Sequence, residues 1–172
     1  MEIKAVCIKL ASGEEIFAEL IADDADPAMD NGLVKVFLPY TVRVDHSRKG
    51  ITQFAMVPWA PYSDDKFYYI PGHMVMNISS LDLYHQQIYG STLMKTEIHD
   101  VQSSIIKDAE IGIMDSKKFA HTLDQILHIF MKYGLRYNLD IPEYADIKQS
   151  FNDFIMSQYE LKQSKEVPTL LQ

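Results

Sequence analysis

The chain has 172 residues, of which 47% are hydrophobic and 23% charged. That balance excludes a wholly disordered chain and suits one compact domain or a small one with an appendage. A formal net charge of −8 excludes a broadly basic nucleic-acid binder, and double-stranded DNA is not an expected partner. The single cysteine, Cys7, excludes a disulfide framework and a multi-thiolate zinc site.

Apolar and charged residues mix from the first position, so no signal-peptide core is expected. No stretch approaches the roughly 18 consecutive apolar residues of a membrane span. A cytoplasmic protein with no membrane partner is the expectation. Val6, Ile8 and Leu10 alternate with Cys7 and Lys9, which predicts a first strand with Cys7 as a small core filler. Ser12-Gly13 breaks the run, and Ile16, Ala18 and Leu20 begin a second strand. Asp23 to Gly32 is polar, holding Pro27 and Asn31-Gly32 as turn signals. It lacks the Gly and Glu positions of an EF-hand loop and reads as a solvated hairpin connection. Leu33 to Val44 predicts a long strand, with Pro39 marking a bulge, a bend or an edge. Ser47 to Gly50 is a turn, and Ile51 to Trp59 another strand. Phe67 to Ile70 and Met74 to Ile78 form two short strands around Pro71-Gly72.

Near residue 81 the period lengthens. Leu83 to Tyr89 predicts a short helix ended by Gly90, and residues 92–114 read as strand or packed linker. Phe119, Leu123, Ile126, Leu127 and Phe130 share one helical face, with Asp115 or Ser116 as cap. Tyr144, Ile147, Phe151, Phe154 and Ile155 form the stripe of a second helix, for which Asp140 and Glu143 fit a capping box around Pro142. Six strand candidates joined by short turns predict a mainly β fold class, a small barrel or sandwich, followed by a C-terminal helical hairpin. The expected boundaries are a barrel over 1–81, a short helix and linker over 82–114, a helical hairpin over 115–163 and a frayed tail over 164–172.

No nucleophile elbow, phosphate-binding loop or dinucleotide fingerprint is present, so neither an enzyme nor a cofactor is expected. His121 and His128 lie about 10 Å apart along a helix axis, too far to share an ion, and no metal site is expected. The aromatic cluster Trp59, Tyr62, Phe67, Tyr68 and Tyr69 suits packing, in the core or between subunits, better than base stacking, because only Lys66 supplies charge nearby.

Tyr68-Tyr69-Ile70-Pro71-Gly72-His73-Met74-Val75-Met76-Asn77-Ile78 resembles the second motif of Sm and Sm-like proteins, with Ile70, Gly72, Val75 and Ile78 in step. Ile8-Lys9-Leu10, the Ser12-Gly13-Glu14 turn and Ile16 to Ile21 resemble the first two strands of that family. Asp26-Pro27-Ala28-Met29-Asp30-Asn31 is similar to its first motif, with one residue inserted. The resemblance covers roughly residues 5 to 80. Pro58 to Pro61, followed by Tyr62-Ser63-Asp64-Asp65, resembles a subgroup of marine phage or cyanophage origin, which implies a host cytoplasm.

The resemblance implies a small, strongly bent antiparallel barrel of five or six strands, and a ring of five to seven identical subunits joined edge to edge. Tyr68, Ile70, Val75 and Ile78 fall on the strands that would form the interface. It also implies single-stranded RNA binding, carried over by position to Asp26, Asn31, Gly72 and His73. Pro71 stands where the family has Arg, which removes a charge and a stacking surface. The strand start leaves no room for the family's N-terminal helix. Two readings follow. One is an RNA-binding ring. The other is a structural or adaptor ring whose helical tail docks a phage or host protein. The acidity, about −40 for five copies, opposes RNA, while the loop motifs favour it.

Overall fold

The computed structural model describes residues 3–21, 32–46, 52–110 and 116–166. It divides into two compact units, Met1–Tyr89 and Gly90–Gln172.

The first unit is an antiparallel sheet of β1 (Ile3–Leu10), β2 (Glu15–Ile21), β3 (Leu33–His46), β4 (Thr52–Pro58), β5 (Phe67–Pro71) and β6 (Val75–Ser80), with a 3-10 turn at Gly72–Met74. The strand order is β4-β3-β2-β1-β6, and β5 also pairs with β3. The ladders therefore end at β6 on one side and at β4 and β5 on the other. No ladder joins β5 to β6 among the described residues, so hydrogen bonding does not close the sheet. The period-two pattern sets the inward face. Val6, Ile8, Leu10, Ile16, Ala18, Val34, Val36 and Ile70 make one buried cluster, with Leu20, Trp59, Tyr68, Val75 and Ile78 packed against it. Each fully buried aliphatic side chain contributes roughly 1.5–3 kcal/mol. Cys7 is not part of that cluster. It falls on the alternate positions with Lys9 and is partly exposed. Burial, with the carboxylate of Glu15 second, raises its thiol pKa, and a thiol held protonated is a poor nucleophile.

β3 is 14 residues long and changes partner midway. Val36 and Phe37 face Tyr68 and Phe67 of β5, whereas Tyr40 to His46 face Pro58 to Thr52 of β4. β2 pairs with Val36, Phe37, Tyr40 and Thr41, so β4 and β5 follow one another along the opposite edge. The register against β2 slips here, Phe17 facing Tyr40 but Glu19 facing Phe37. Leu38 takes a φ of 47°. This is the bulge that Pro39 announces: a strand that cannot donate at Pro39 is bent where its neighbour changes. The Tyr89 hydroxyl donates to the Leu38 carbonyl at 2.8 Å and lies 3.4 Å from that of Phe37, which satisfies acceptors that the kink removes from the ladder.

α1 (Leu83–Glu110) is one helix of 28 residues, where the sequence predicts a short helix and a linker. Asp82 caps it, its Oδ1 accepting the His85 N–H at 2.9 Å. Gly90 does not end the helix. A Cβ there would lie 2.4 Å from Cγ of Tyr137, so the glycine serves close approach of α1 to the next helix rather than a turn. α2 (Ser116–Tyr137) and α3 (Tyr144–Glu166) follow. α2 runs through Gly134 and ends at Asn138, whose φ is 51°. The Leu139 N–H donates to the Gly134 carbonyl at 3.1 Å, the six-to-one bond of a Schellman ending.

α3 begins later than the predicted capping box. The Glu143 carbonyl accepts the N–H groups of Asp146 and Ile147, so Glu143 occupies the cap and both Asp140 and Pro142 precede it. The predicted α2 and α3 stripes do meet: Leu123, Ile126, Ile147, Phe151 and Ile155 are buried together, with Ile105 of α1. α2 also buries a second face through Ile129, Tyr133 and Tyr137, where Tyr133 donates to Glu97 of α1 at 2.7 Å. α3 stays helical to Glu166, past the predicted start of fraying.

Candidate nucleic-acid interface and strand edges

The turn of the second motif is bonded to Gly32, the residue that follows the first motif in sequence. The Gly72 N–H donates to the Gly32 carbonyl at 2.7 Å, and the Ala11 N–H donates to the Met74 carbonyl at 2.8 Å. The turn Gly72–Met74 is thus tied by its backbone to both the β2–β3 and the β1–β2 connections. Gly32 holds a φ of 77°, open to glycine at no steric cost. His73 is exposed on this turn. Asn31 is the chain neighbour of Gly32, but Asp26 and Asn31 lie outside the described residues. Pro71 closes β5 in register with Leu33 and brings no charge to the place where the family has Arg.

The predicted interface residues occupy the inner side of their strands. Ile70 is 1% exposed and belongs to the buried cluster, while Tyr68, Val75 and Ile78 pack against it. Ile70 is thus spent within one subunit, while Tyr68, Val75 and Ile78 stay partly exposed. The large apolar side chains that remain outside are Phe67 (48% exposed) and Tyr69 (56%) on β5, and Met76 (67%) on β6, where Asn77, Ser79 and Ser80 are exposed too.

The aromatic cluster divides in the same way. Trp59 and Tyr68 meet edge to face at 5.7 Å, and the indole N–H donates to Glu14, which also accepts from the Thr41 hydroxyl. Phe67 packs on Phe37 at 4.8 Å. Sequence reasoning missed Lys35, whose ammonium lies 5.2 Å from the Phe67 ring and 6.0 Å from that of Tyr69. The signal was available, since Lys35 and Phe37 alternate with Val34 and Val36 and must share the outer face.

Among the described residues no three His, Cys, Asp or Glu side chains gather around a common point, and no helix is long and apolar enough to cross a membrane. Residues 7–90 match the family model of the Sm_like domain. The match runs from β1 into the first turns of α1 and does not reach α2 or α3. No curated protein matches the chain.

Proposed function

We propose that the Sm-like domain is an assembly unit, in which the open edge of β5 in one copy pairs with the open edge of β6 in the next and generates a ring of five to seven subunits. The observation that carries this reading is the chemistry of those edges. Among the described residues β5 pairs only with β3 and β6 only with β1. Neither Phe-Tyr-Tyr-Ile-Pro nor Val-Met-Asn-Ile-Ser-Ser contains a charged residue. Monomeric sheets guard such edges with charge, proline, short strands or a covering element; here charge is absent from both strands, and proline stands only at the end of β5, at Pro71. An edge without charge is open to a second copy, and head-to-tail pairing that closes on itself makes a ring. Phe67, Tyr69 and Met76 then pass from solvent into the contact, and the sheet curls into the barrel of the family.

Single-stranded RNA is the ligand of this ring, held at the loops that carry Asp26, Asn31, Gly72 and His73. The Gly72–Gly32 hydrogen bond supports that reading, because a ring repeats this loop pair and multiplies a weak contact. The missing Arg and the acidic charge make affinity low and steeply salt-dependent. A second reading is favoured by the helical unit, which leaves Leu135 81% exposed and Met131 58% exposed. There the ring is an adaptor, phage-encoded as the Pro58–Pro61 segment suggests, and α2 and α3 dock a partner.

Light scattering tests assembly. A mass five to seven times that of the chain is expected, with Met76→Lys and Tyr69→Lys lowering it, and a monomer in dilute buffer ends the reading. Filter binding of poly-U and poly-A at low and high salt tests the ligand. Retention at low salt that is lost with His73→Ala is expected. Absence of retention removes RNA and leaves the adaptor.

A further inference from the structure

We infer that the exposed end of the helical unit is a docking groove for a basic amphipathic helix of another protein. The inference rests on the adaptor reading of this unit and not on ring assembly.

The groove has a volume of about 670 Å³ and is lined by Val101 of α1, by Leu127, His128 and Met131 of α2, and by Tyr144 at the start of α3. Met131 and Leu135 are one turn apart and extend its apolar floor along the helix. Ile141 continues it, because its side chain lies where a Cβ on Gly134 would stand, 2.3 Å away. A glycine in mid-helix costs roughly 1 kcal/mol relative to alanine, and here it lets the connection between α2 and α3 lie flat on α2. The result is a strip of Met131, Leu135, Ile141 and Tyr144, all exposed. An apolar strip of this length matches anchors at helical spacing on a partner. The flexible methionine suits packing against varied side chains.

Charge identifies the partner. The groove walls hold Glu97 and Asp124 but no lysine or arginine. Glu97 is already met by Lys132 at 2.8 Å, and Asp124 is exposed on the groove lining. Asp140, Glu143 and Asp146 are exposed and interleave with Ile141 and Tyr144, with no basic residue from Asn138 to Asp146. An apolar floor with acidic borders is complementary to an amphipathic helix whose polar face carries Lys and Arg. An acidic helix or an anionic lipid surface meets repulsion there.

The test uses the full chain and a fluorescein-labelled designed peptide of about 18 residues, five helical turns, with leucines at helical spacing and lysines elsewhere. Anisotropy titration is expected to show saturable binding that weakens with salt. Met131→Glu with Leu135→Glu is expected to weaken it about tenfold, the loss of central anchors. Asp140→Lys with Glu143→Lys weakens the basic peptide and improves a glutamate version of it. These residues are exposed, so the variants fold, which circular dichroism checks. Equal binding of a scrambled peptide, or no effect of the groove variants, overturns the inference. So does a fall in light-scattering mass with the Met131→Glu, Leu135→Glu pair, which would assign the groove to a second copy. Binding that appears only after removal of residues 167–172 would assign it to the chain's own end and overturn it too. A monomeric chain that still binds the peptide ends ring assembly and leaves this inference standing.

Discussion

The sheet and the helices leave different things unfinished. In the sheet unit the inward side chains are settled: Ile8, Ile16, Ala18, Val34 and Val36 have no exposure at all. What remains is strand edge: among the described residues, backbone along β6 and along β4 and β5, with Phe67, Tyr69 and Met76 exposed beside it. In the helical unit the backbone is settled by its own i to i−4 bonds, and what remains is apolar surface at Met131, Leu135, Ile141, Tyr144 and Met156. Unpaired strand groups are directional and repeat at fixed spacing, so they select an identical partner in register. Exposed side chains are non-directional, so charge at their border selects the partner. One chain thus carries a geometric and a chemical kind of incompleteness.

The contrast breaks most directly in the two cores. Ile16→Ala and Ile126→Ala each cost about 3 kcal/mol. Trp59, the single tryptophan, lies in the sheet unit, so its fluorescence in urea reports the first substitution, while far-ultraviolet circular dichroism reports the second. Each mutation is expected to move its own transition. One common transition moved equally by both would erase the distinction.

Gly90→Val is next. Its branched side chain meets the Tyr137 ring, and overpacking of this kind costs about 2 kcal/mol. The helical transition falls in urea, and Tyr137→Leu restores part of it. An unaffected midpoint would show that α1 and α2 need no close approach.

Tyr89→Phe is smaller, about 1 kcal/mol for the hydrogen bond to the Leu38 carbonyl. It is expected in the tryptophan signal alone. Equal stability would mean that the kink in β3 holds itself.

The smallest effect is on pH. The His85 N–H first, then its imidazole, holds the Asp82 carboxyl below the usual carboxylate range. A folded pKa below the unfolded value, about 3.9, contributes stability that is complete above that value and is lost as pH falls through the folded one. Fraying of the first turn of α1 is expected in that acid window by NMR. Asp82→Asn, which keeps a capping oxygen, should flatten it.

The strands were legible because one buried face imposes alternation, and Pro39 announced its bulge. The run of α1 beyond Gly90 was not. A glycine that permits contact looks the same in sequence as one that ends a helix, and Ile105-Ile106 carries the β-branched signature of a strand. The late start of α3 was hidden for a similar reason, since Asp140 and Glu143 have the spacing of a cap whichever residue begins the helix. For the candidate site, position in the motif found Gly72 and His73 on the turn. It also chose Tyr68, Ile70, Val75 and Ile78 for an interface, although the same alternation that buries Ile70 sends Tyr69 and Phe67 outward.

The pairing of β1 with β6 sets Lys9 against Asn77 and Val6 against Ser80, across about 70 residues of intervening chain, while β3 and β4 are separated by only five residues of sequence. During synthesis, β1 therefore waits for β6 before its second ladder can form. Pulsed hydrogen exchange during refolding should find the β1 amides that face β6 protected after those of the β3–β4 hairpin. A newborn chain stalled before Ser80 would carry an open strand at each end, which makes that interval the one most exposed to aggregation.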